Sequence, residues 1–191
     1  MCGRYLFKQD ITKELDAWLA TLDEETRSDL SLHDVYPSQK TIVLTHDLKP
    51  SVMRWGFLKW DDKGLVINAR SETVDQSNFF KEHLKHRRCL IEAEGFYEWD
   101  ADKQKYLVKP KGNEPFYMAG IYTDEPTPRF CILTTASQGE FKHLHDRFPL
   151  MIPLRYRERY LNQGDALLDD FKALDILPIQ WENQSPQTRL F

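Results

Sequence analysis

Residues 88–110 read RCLIEAEGFYEWDADKQKYLVKP: two short apolar and aromatic runs, a polar break, then a third run closed by a proline. Runs of four or five residues rich in Ile, Phe, Tyr, Trp and Val suit strands, whereas a helix shows a 3.6-residue apolar rhythm over ten or more. Strands are therefore expected at 89–93, 96–99 and 106–109, with Asp100 to Lys105 as a hairpin turn. The same signal recurs to either side, at 41–45, 51–55, 65–69, 116–122 and 130–134. Helical spacing is sparser. Asp10 ahead of Ile11, Leu15, Trp18, Leu19 and Leu22 reads as a capped amphipathic helix. Ser77 stands where it can cap a second through Phe79, Phe80 and Leu84, and residues 154–161 and 166–174 have helical spacing near the C-terminus. Strands outnumber helices without alternating with them, which points to an α+β fold rather than a doubly wound sheet. The expected architecture is a strongly curved mixed or antiparallel sheet, barrel-like, with peripheral helices.

One domain over residues 1–191 is expected. The length suffices for one well-buried core, and no repeat, low-complexity tract or Pro/Gly/Ser-rich linker divides the chain. No apolar run approaches the roughly 20 residues that span a bilayer, and MCGRYLFKQD lacks a signal-peptide apolar region, so no membrane partner and a cytoplasmic location are expected. Cys2, Cys89 and Cys131 are odd in number and far apart, which argues against a disulfide framework and a structural zinc site. A formal net charge of -4 excludes a generic polyanion coat, so any nucleic-acid contact must come from a local patch.

Four short segments hold residues suited to chemistry. A small residue after Met1 permits removal of the initiator, which would leave Cys2 with a free α-amine beside its thiol. Those groups titrate near about 8 and 8.5, so a fraction of each is nucleophilic near neutrality. Such an aminothiol condenses with an aldehyde to an imine, and the sulfur then closes a five-membered thiazolidine. The plainer alternative is a small buried or loose terminal residue. Asn68 of NARSET, residues 68–73, can orient a carbonyl, and Arg70 can bind a phosphate bidentately; alternatively Asn and Ser close a strand and Arg70–Glu72 form a surface pair. Glu98, set among aromatics, loses hydration and gains the raised pKa of a proton shuttle. Strict alternation offers the opposite outcome, with Phe96 and Glu98 on a solvated face. His145 suits general acid–base work and Arg147 a phosphate contact. The pairs His83–His86 and His143–His145 lack a full ligand set, so no metal and no cofactor are expected.

Taken in order, MCGRY (1–5), NARSET (68–73), RCLIEAEGFYEW (88–99), Ala119-Gly120, ILTTA (132–136) and HDRFPL (145–150) closely resemble the SOS-response-associated peptidase-like (SRAP) family, which includes abasic-site processing proteins of bacteria and animals. The similarity runs along essentially the whole chain. It implies one α+β domain, mature from Cys2, with a basic cleft for single-stranded DNA and self-crosslinking to abasic sites. It implies Cys2 as nucleophile, Asn68 beside it, Glu98 as acid/base, and His145 as the group that assists sugar-ring opening. Arg4 and Arg70 match phosphate-binding arginines, with Arg147 a further phosphate contact, and Trp55-Gly56 resembles the WG segment that abuts DNA. The chain departs from the family pattern at Glu92, where a proline is usual, at Leu58-Lys59-Trp60, which lacks the proline common after WG, and at residues 35–39, VYPSQ.

The function these residues imply is covalent capture of abasic sites in single-stranded DNA through a thiazolidine on Cys2, shielding the lesion in a DNA damage response. Some strand-cleaving lyase activity accompanies it, with no obligate protein partner and association with the nucleoid when bound to DNA. Two other readings use the same residues: an N-terminal-nucleophile cysteine peptidase, and a non-covalent reader of single-stranded or modified DNA.

Overall fold

A computed structural model describes residues 2–7, 13–61, 63–111, 116–124, 126–162 and 179–184. In chain order the strands are β1 (Tyr5–Phe7), β2 (Asp34–Val35), β3 (Lys40–Leu44), β4 (Pro50–Trp55), β5 (Phe57–Leu58), β6 (Leu65–Val66), β7 (Asn68–Arg70), β8 (Arg88–Trp99), β9 (Lys105–Pro110), β10 (Phe116–Thr123), β11 (Arg129–Ala136), β12 (Arg147–Pro149), β13 (Met151–Pro153) and β14 (Ile179–Asn183). The helices are α1 (Lys13–Leu19), α2 (Glu24–Ser28), α3 (Lys81–His86) and α4 (Arg157–Asn162).

Five strands close into a mixed barrel in the order β8–β10–β11–β4–β3 and back to β8. Every contact in the ring is antiparallel except β11 on β4, where Arg129 lies opposite Arg54 and Phe130 opposite Trp55. Closure leaves these strands no open edge. The expected curved, barrel-like α+β sheet with peripheral helices is the one found.

The central strands read as unbroken apolar runs because both of their faces are covered. Cys89, Ile91, Met118, Phe130 and Ile132 belong to one buried cluster with Ile42 and Met53. Leu90, Tyr117, Ala119, Cys131 and Leu133 belong to a second, which Leu84 of α3 and Tyr160 of α4 cover. Gly120 lies where β10 crosses β8 closely: a Cβ there would come within 2.6 Å of Ile91 Cδ1 and 2.9 Å of Cys89 Sγ.

β8 is long enough to do two jobs. Its first half builds the barrel with β10, from Arg88 opposite Ile121 to Ala93 opposite Phe116. Its second half leaves the barrel between β1 on one side and β9 on the other, with Phe96 opposite both Tyr5 and Val108. The two strands expected at 89–93 and 96–99 are therefore one. Gly95 marks the passage, since a Cβ there would meet the Val108 carbonyl oxygen at 2.6 Å. A bulge at Leu6/Phe7 skips Glu94, sharpening the bend. The turn that follows holds Lys103 at φ 61°, and the Asp100 carboxylate accepts from the Gln104 amide at 2.8 Å, as the hairpin reading requires.

Two of the helical expectations are met in shortened form, the first as α1 and 154–161 as a 3-10 turn followed by α4. Helix α1 falls inside the apolar stripe beginning at Ile11, although Asp10 lies outside the described residues, as does 166–174. Ser77 does not cap α3: its Oγ accepts from the Phe79 amide at 3.3 Å, and the helix starts only at Lys81 with Phe80 in the N-cap position, so Phe79 and Phe80 precede it. Among the described residues no helix is long and apolar enough to cross a membrane.

Candidate active site

The register of β1 on β8 determines where the chain begins. Tyr5 sits opposite Phe96, and the Tyr97 amide donates to the Arg4 carbonyl at 2.9 Å. In an antiparallel pair each step back from Tyr5 runs beside a step forward from Phe96, so Cys2 is carried to the end of β8. It is fully buried there, its Sγ 3.6 Å from the Arg4 carbonyl oxygen. β7 delivers Asn68 to the same place: pairing of Asn68 with Ile132 leaves its Nδ2 donating to the Cys2 carbonyl at 2.8 Å.

Glu98 faces inward. It is 2% exposed and shares its side of β8 with buried Phe96, whereas Trp99 on the opposite face is 40% exposed. Tyr97 on the opposite face is also buried, so both faces are covered up to Trp99, including the one expected to be solvated. Burial raises the Glu98 carboxyl above its ordinary range. Burial also pushes the Cys2 thiol far up, and the negative charge of Glu98 adds to the effect. Burial thus favours the thiol form of the sulfur and shifts the Glu98 carboxyl toward its protonated form.

His145 follows the 3-10 turn Gly139–His143. The Arg147 backbone N–H donates to His145 Nδ1 at 3.0 Å. A backbone amide can only donate, so in this contact Nδ1 accepts; the Arg147 carbonyl oxygen stands 3.1 Å from the same nitrogen, and whichever of the two engages it sets the tautomer. Asn68, Cys2, Glu98 and His145 are thus gathered from four separate segments. Among the described residues no three His, Cys, Asp or Glu side chains converge as metal ligands.

The arginines differ in how far they are already engaged. Arg70 is exposed and, among the described residues, makes no ion pair. Arg4 is ion-paired with Asp34 and lies between the rings of Tyr36 and Tyr97, at 4.8 and 4.5 Å from their centroids. Lys105 also packs on Tyr97, at 4.2 Å. Arg147 is clamped by Glu72, Nη2 to Oε2 at 2.8 Å and Nη1 to Oε1 at 3.3 Å, and its Nη2 also donates to the Thr134 carbonyl at 2.8 Å. The acidic partner in NARSET therefore belongs to Arg147, not to Arg70.

The expectation that Trp55 abuts DNA needs correction. Trp55 is fully buried between Tyr5 and Phe130, with ring centroids 5.3 and 6.2 Å away, and its Nε1 donates to the Ile67 carbonyl at 2.9 Å. Phe96 is equally buried. Neither has a face open to a base; both support the wall behind Cys2. The exposed indoles among the described residues are Trp60, 92% accessible in the turn after β5, and Trp99, 40% accessible at the end of β8. Tyr36 is also presented outward, on a loop whose Ser38 amide donates to the Trp55 carbonyl at 2.8 Å. Sequence reasoning missed Tyr36, Tyr97, Asp34 and Lys105. Alternation alone could have put Tyr97 opposite Glu98 on the outer face, but nothing local marks Asp34.

A sheet that seats the chain's own second residue against a buried carboxyl defines a fold assembled around its N-terminus. The chain belongs to the SOS response associated peptidase (SRAP) family, whose sequence pattern matches residues 1–183. It is 31% identical over 164 residues to the abasic site processing protein YoaM of Bacillus subtilis, covering 76% of this chain and 72% of that one. It is 30% identical over 182 residues to the abasic site processing protein YedK of Escherichia coli, covering 85% and 80%. A crystal structure of a protein from Bacteroides thetaiotaomicron superposes with a TM-score of 0.80 at 20% identity, over 97% of this chain and 93% of that one, a likeness of fold.

Proposed function

We propose that this chain, after removal of Met1, captures the aldehyde of abasic sites in single-stranded DNA as a thiazolidine on Cys2. The observation that carries the reading is the grip on Cys2: its carbonyl is held by Asn68 at 2.8 Å and its thiol is buried next to Glu98. His145, donating through Nε2, helps open the closed sugar and unveil the aldehyde. The Cys2 amine adds to the carbonyl carbon, and Glu98 delivers a proton to the departing hydroxyl so that water leaves. The thiol then adds to the imine carbon while its proton passes to the imine nitrogen by way of Glu98. One aldehyde and one aminothiol thus give one ring and one water. Asn68 contributes orientation, which is worth most when both nucleophiles sit on a single residue.

The family membership and the names of the relatives support the substrate. Arg70 supplies the open cationic group for flanking phosphates, with Arg4 and Arg147 adding charge that Asp34 and Glu72 partly offset, and base stacking falls to Trp60 instead of Trp55. An unpaired strand is required because the sugar must leave the stack to reach Cys2. An imine at the sugar acidifies the neighbouring carbon, so slow strand cleavage accompanies capture. A cysteine-peptidase reading fits less well, because that chemistry depends on a thiolate, and burial next to Glu98 holds this sulfur protonated.

The test compares native protein, protein retaining Met1, and Cys2→Ala on abasic single-stranded DNA, with and without borohydride. The native adduct should carry the combined mass minus one water and survive denaturation without reductant. Cys2→Ala should be trapped only with borohydride. A blocked N-terminus that yields the same adduct as native protein would exclude the mechanism, because an acylated nitrogen cannot form the imine.

A further inference from the structure

We infer that Glu72 is a positioning residue for His145, acting through Arg147; this rests on the acid–base role proposed above for His145. Glu72 makes three contacts at the open end of the β11–β12 ladder. Its Oε2 accepts from Arg147 Nη2 at 2.8 Å, and its Oε1 accepts from Arg147 Nη1 at 3.3 Å and from the Ala136 amide at 3.0 Å. Ala136 and Arg147 are themselves the last paired residues of that ladder. One carboxylate therefore ties both strands together where their own pairing ends.

The guanidinium is further fixed by Thr134, whose carbonyl accepts from Nη2 at 2.8 Å and whose Oγ1 lies 3.3 Å from Nε. Counting Nε, both Nη2 hydrogens and one on Nη1, four of the five guanidinium N–H groups are taken. Arg147 cannot swing without abandoning these contacts, so its backbone cannot rotate freely either. That backbone is what holds His145: the Arg147 amide donates to Nδ1 at 3.0 Å, while the Arg147 carbonyl oxygen lies only 3.1 Å from the same atom. A modest change in the Arg147 backbone torsions would withdraw the amide and leave the carbonyl oxygen as the partner of Nδ1. The imidazole would then take its proton on Nδ1 and lose the Nε2–H needed to donate to the sugar. Glu72 keeps the donor in place. Burial disfavours its charge, but the bonds from Arg147 outweigh that and hold its carboxyl below the ordinary range.

The test uses Glu72→Ala and Glu72→Gln in the full-length, Met1-processed protein. Nitrogen NMR of the His145 ring, in the absence of DNA, reads the tautomer directly. Single-turnover adduct formation on an abasic single-stranded oligonucleotide, followed against pH, reads the consequence. Glu72→Ala should shift the neutral ring toward the Nδ1–H form and slow capture by about tenfold or more, the scale on which an orienting partner matters. Glu72→Gln, which keeps one acceptor oxygen, should recover part of both effects and serves alone if the alanine variant does not fold. A folded variant with the parental tautomer and pH–rate profile would overturn the inference. Failure of the parent itself to form any adduct would instead overturn the functional reading, and the tautomer measurement would still decide the role of Glu72.

Discussion

Glu98→Gln should slow the chemistry of this protein while steadying its fold, and the two effects can be measured separately. Gln keeps the shape of the side chain and cannot shuttle protons. General acid–base catalysis contributes about 10²–10⁴-fold, so single-turnover capture of an abasic oligonucleotide should fall within that range. Stability follows from burial. Glu98 is 2% exposed, and burial lifts its carboxyl above the ordinary 4.5, so the folded chain holds this proton more tightly than the unfolded chain does. The stability gained this way is full below the unfolded value and is lost as pH rises through the folded value. A neutral Gln has nothing to lose. The variant should therefore gain on its parent in thermal melts as pH climbs from the ordinary carboxylate range upward. Every tenfold by which folding tightens the hold on a proton is worth ~1.4 kcal/mol, or about 3–6 °C for a chain of this size. Melting curves that move in parallel with pH would refute the buried, proton-holding carboxyl. An unchanged capture rate would refute its chemical role even if the melts agreed.

The two tryptophans should separate support from contact. Trp55→Ala should cost about 3–5 kcal/mol in denaturant unfolding, as expected for a fully buried aromatic. Trp60→Ala should leave unfolding within about 0.5 kcal/mol while weakening single-stranded DNA binding by about 1–3 kcal/mol in anisotropy titrations. The reverse pattern would remove Trp60 from the binding surface. Capture should favour single-stranded over duplex abasic DNA, and affinity should fall with salt in proportion to the phosphates contacted. Equal yields on matched substrates, or affinity indifferent to salt, would count against phosphate-led binding.

How much of this fold the residues announce depends on where each strand obtains its stability. β3, β4, β8, β10 and β11 are legible because two buried faces demand long apolar runs, and such runs carry their own signal. β1, β2, β12 and β13 span two or three residues each and exist only through their partners, so nothing local marks them. Closure is illegible for another reason. The parallel join of β11 to β4 sets Arg129 opposite Arg54, a pairing that no rule of cross-strand attraction would select. Helix α2 escapes a periodicity reading because it has no apolar stripe; Asp23 caps it, accepting from the Thr26 amide at 2.8 Å, but the helix buries nothing.

The site shows the same division more sharply. Alternation establishes that Phe96 and Glu98 share a face, yet it cannot say which face looks inward, and that one bit separates a solvated glutamate from a proton shuttle. The bit is supplied by β1, whose aromatic Tyr5 and Phe7 must be buried and so turn the Phe96–Glu98 face toward themselves. Once that register is set, Cys2 has nowhere to go but the end of β8. Arg147 follows the same logic across a longer gap. Its basic character invites a phosphate, but the acid that holds it comes from Glu72, 75 residues earlier, and only the placement of β7 and β12 on either side of β11 makes the pair. Residue types therefore state what each group can do, whereas the pairing of three-residue strands decides what it is next to. In this chain those short strands bury Tyr5, Phe7 and Phe148 in the core and, in doing so, set the neighbours of Cys2, Glu98 and Arg147.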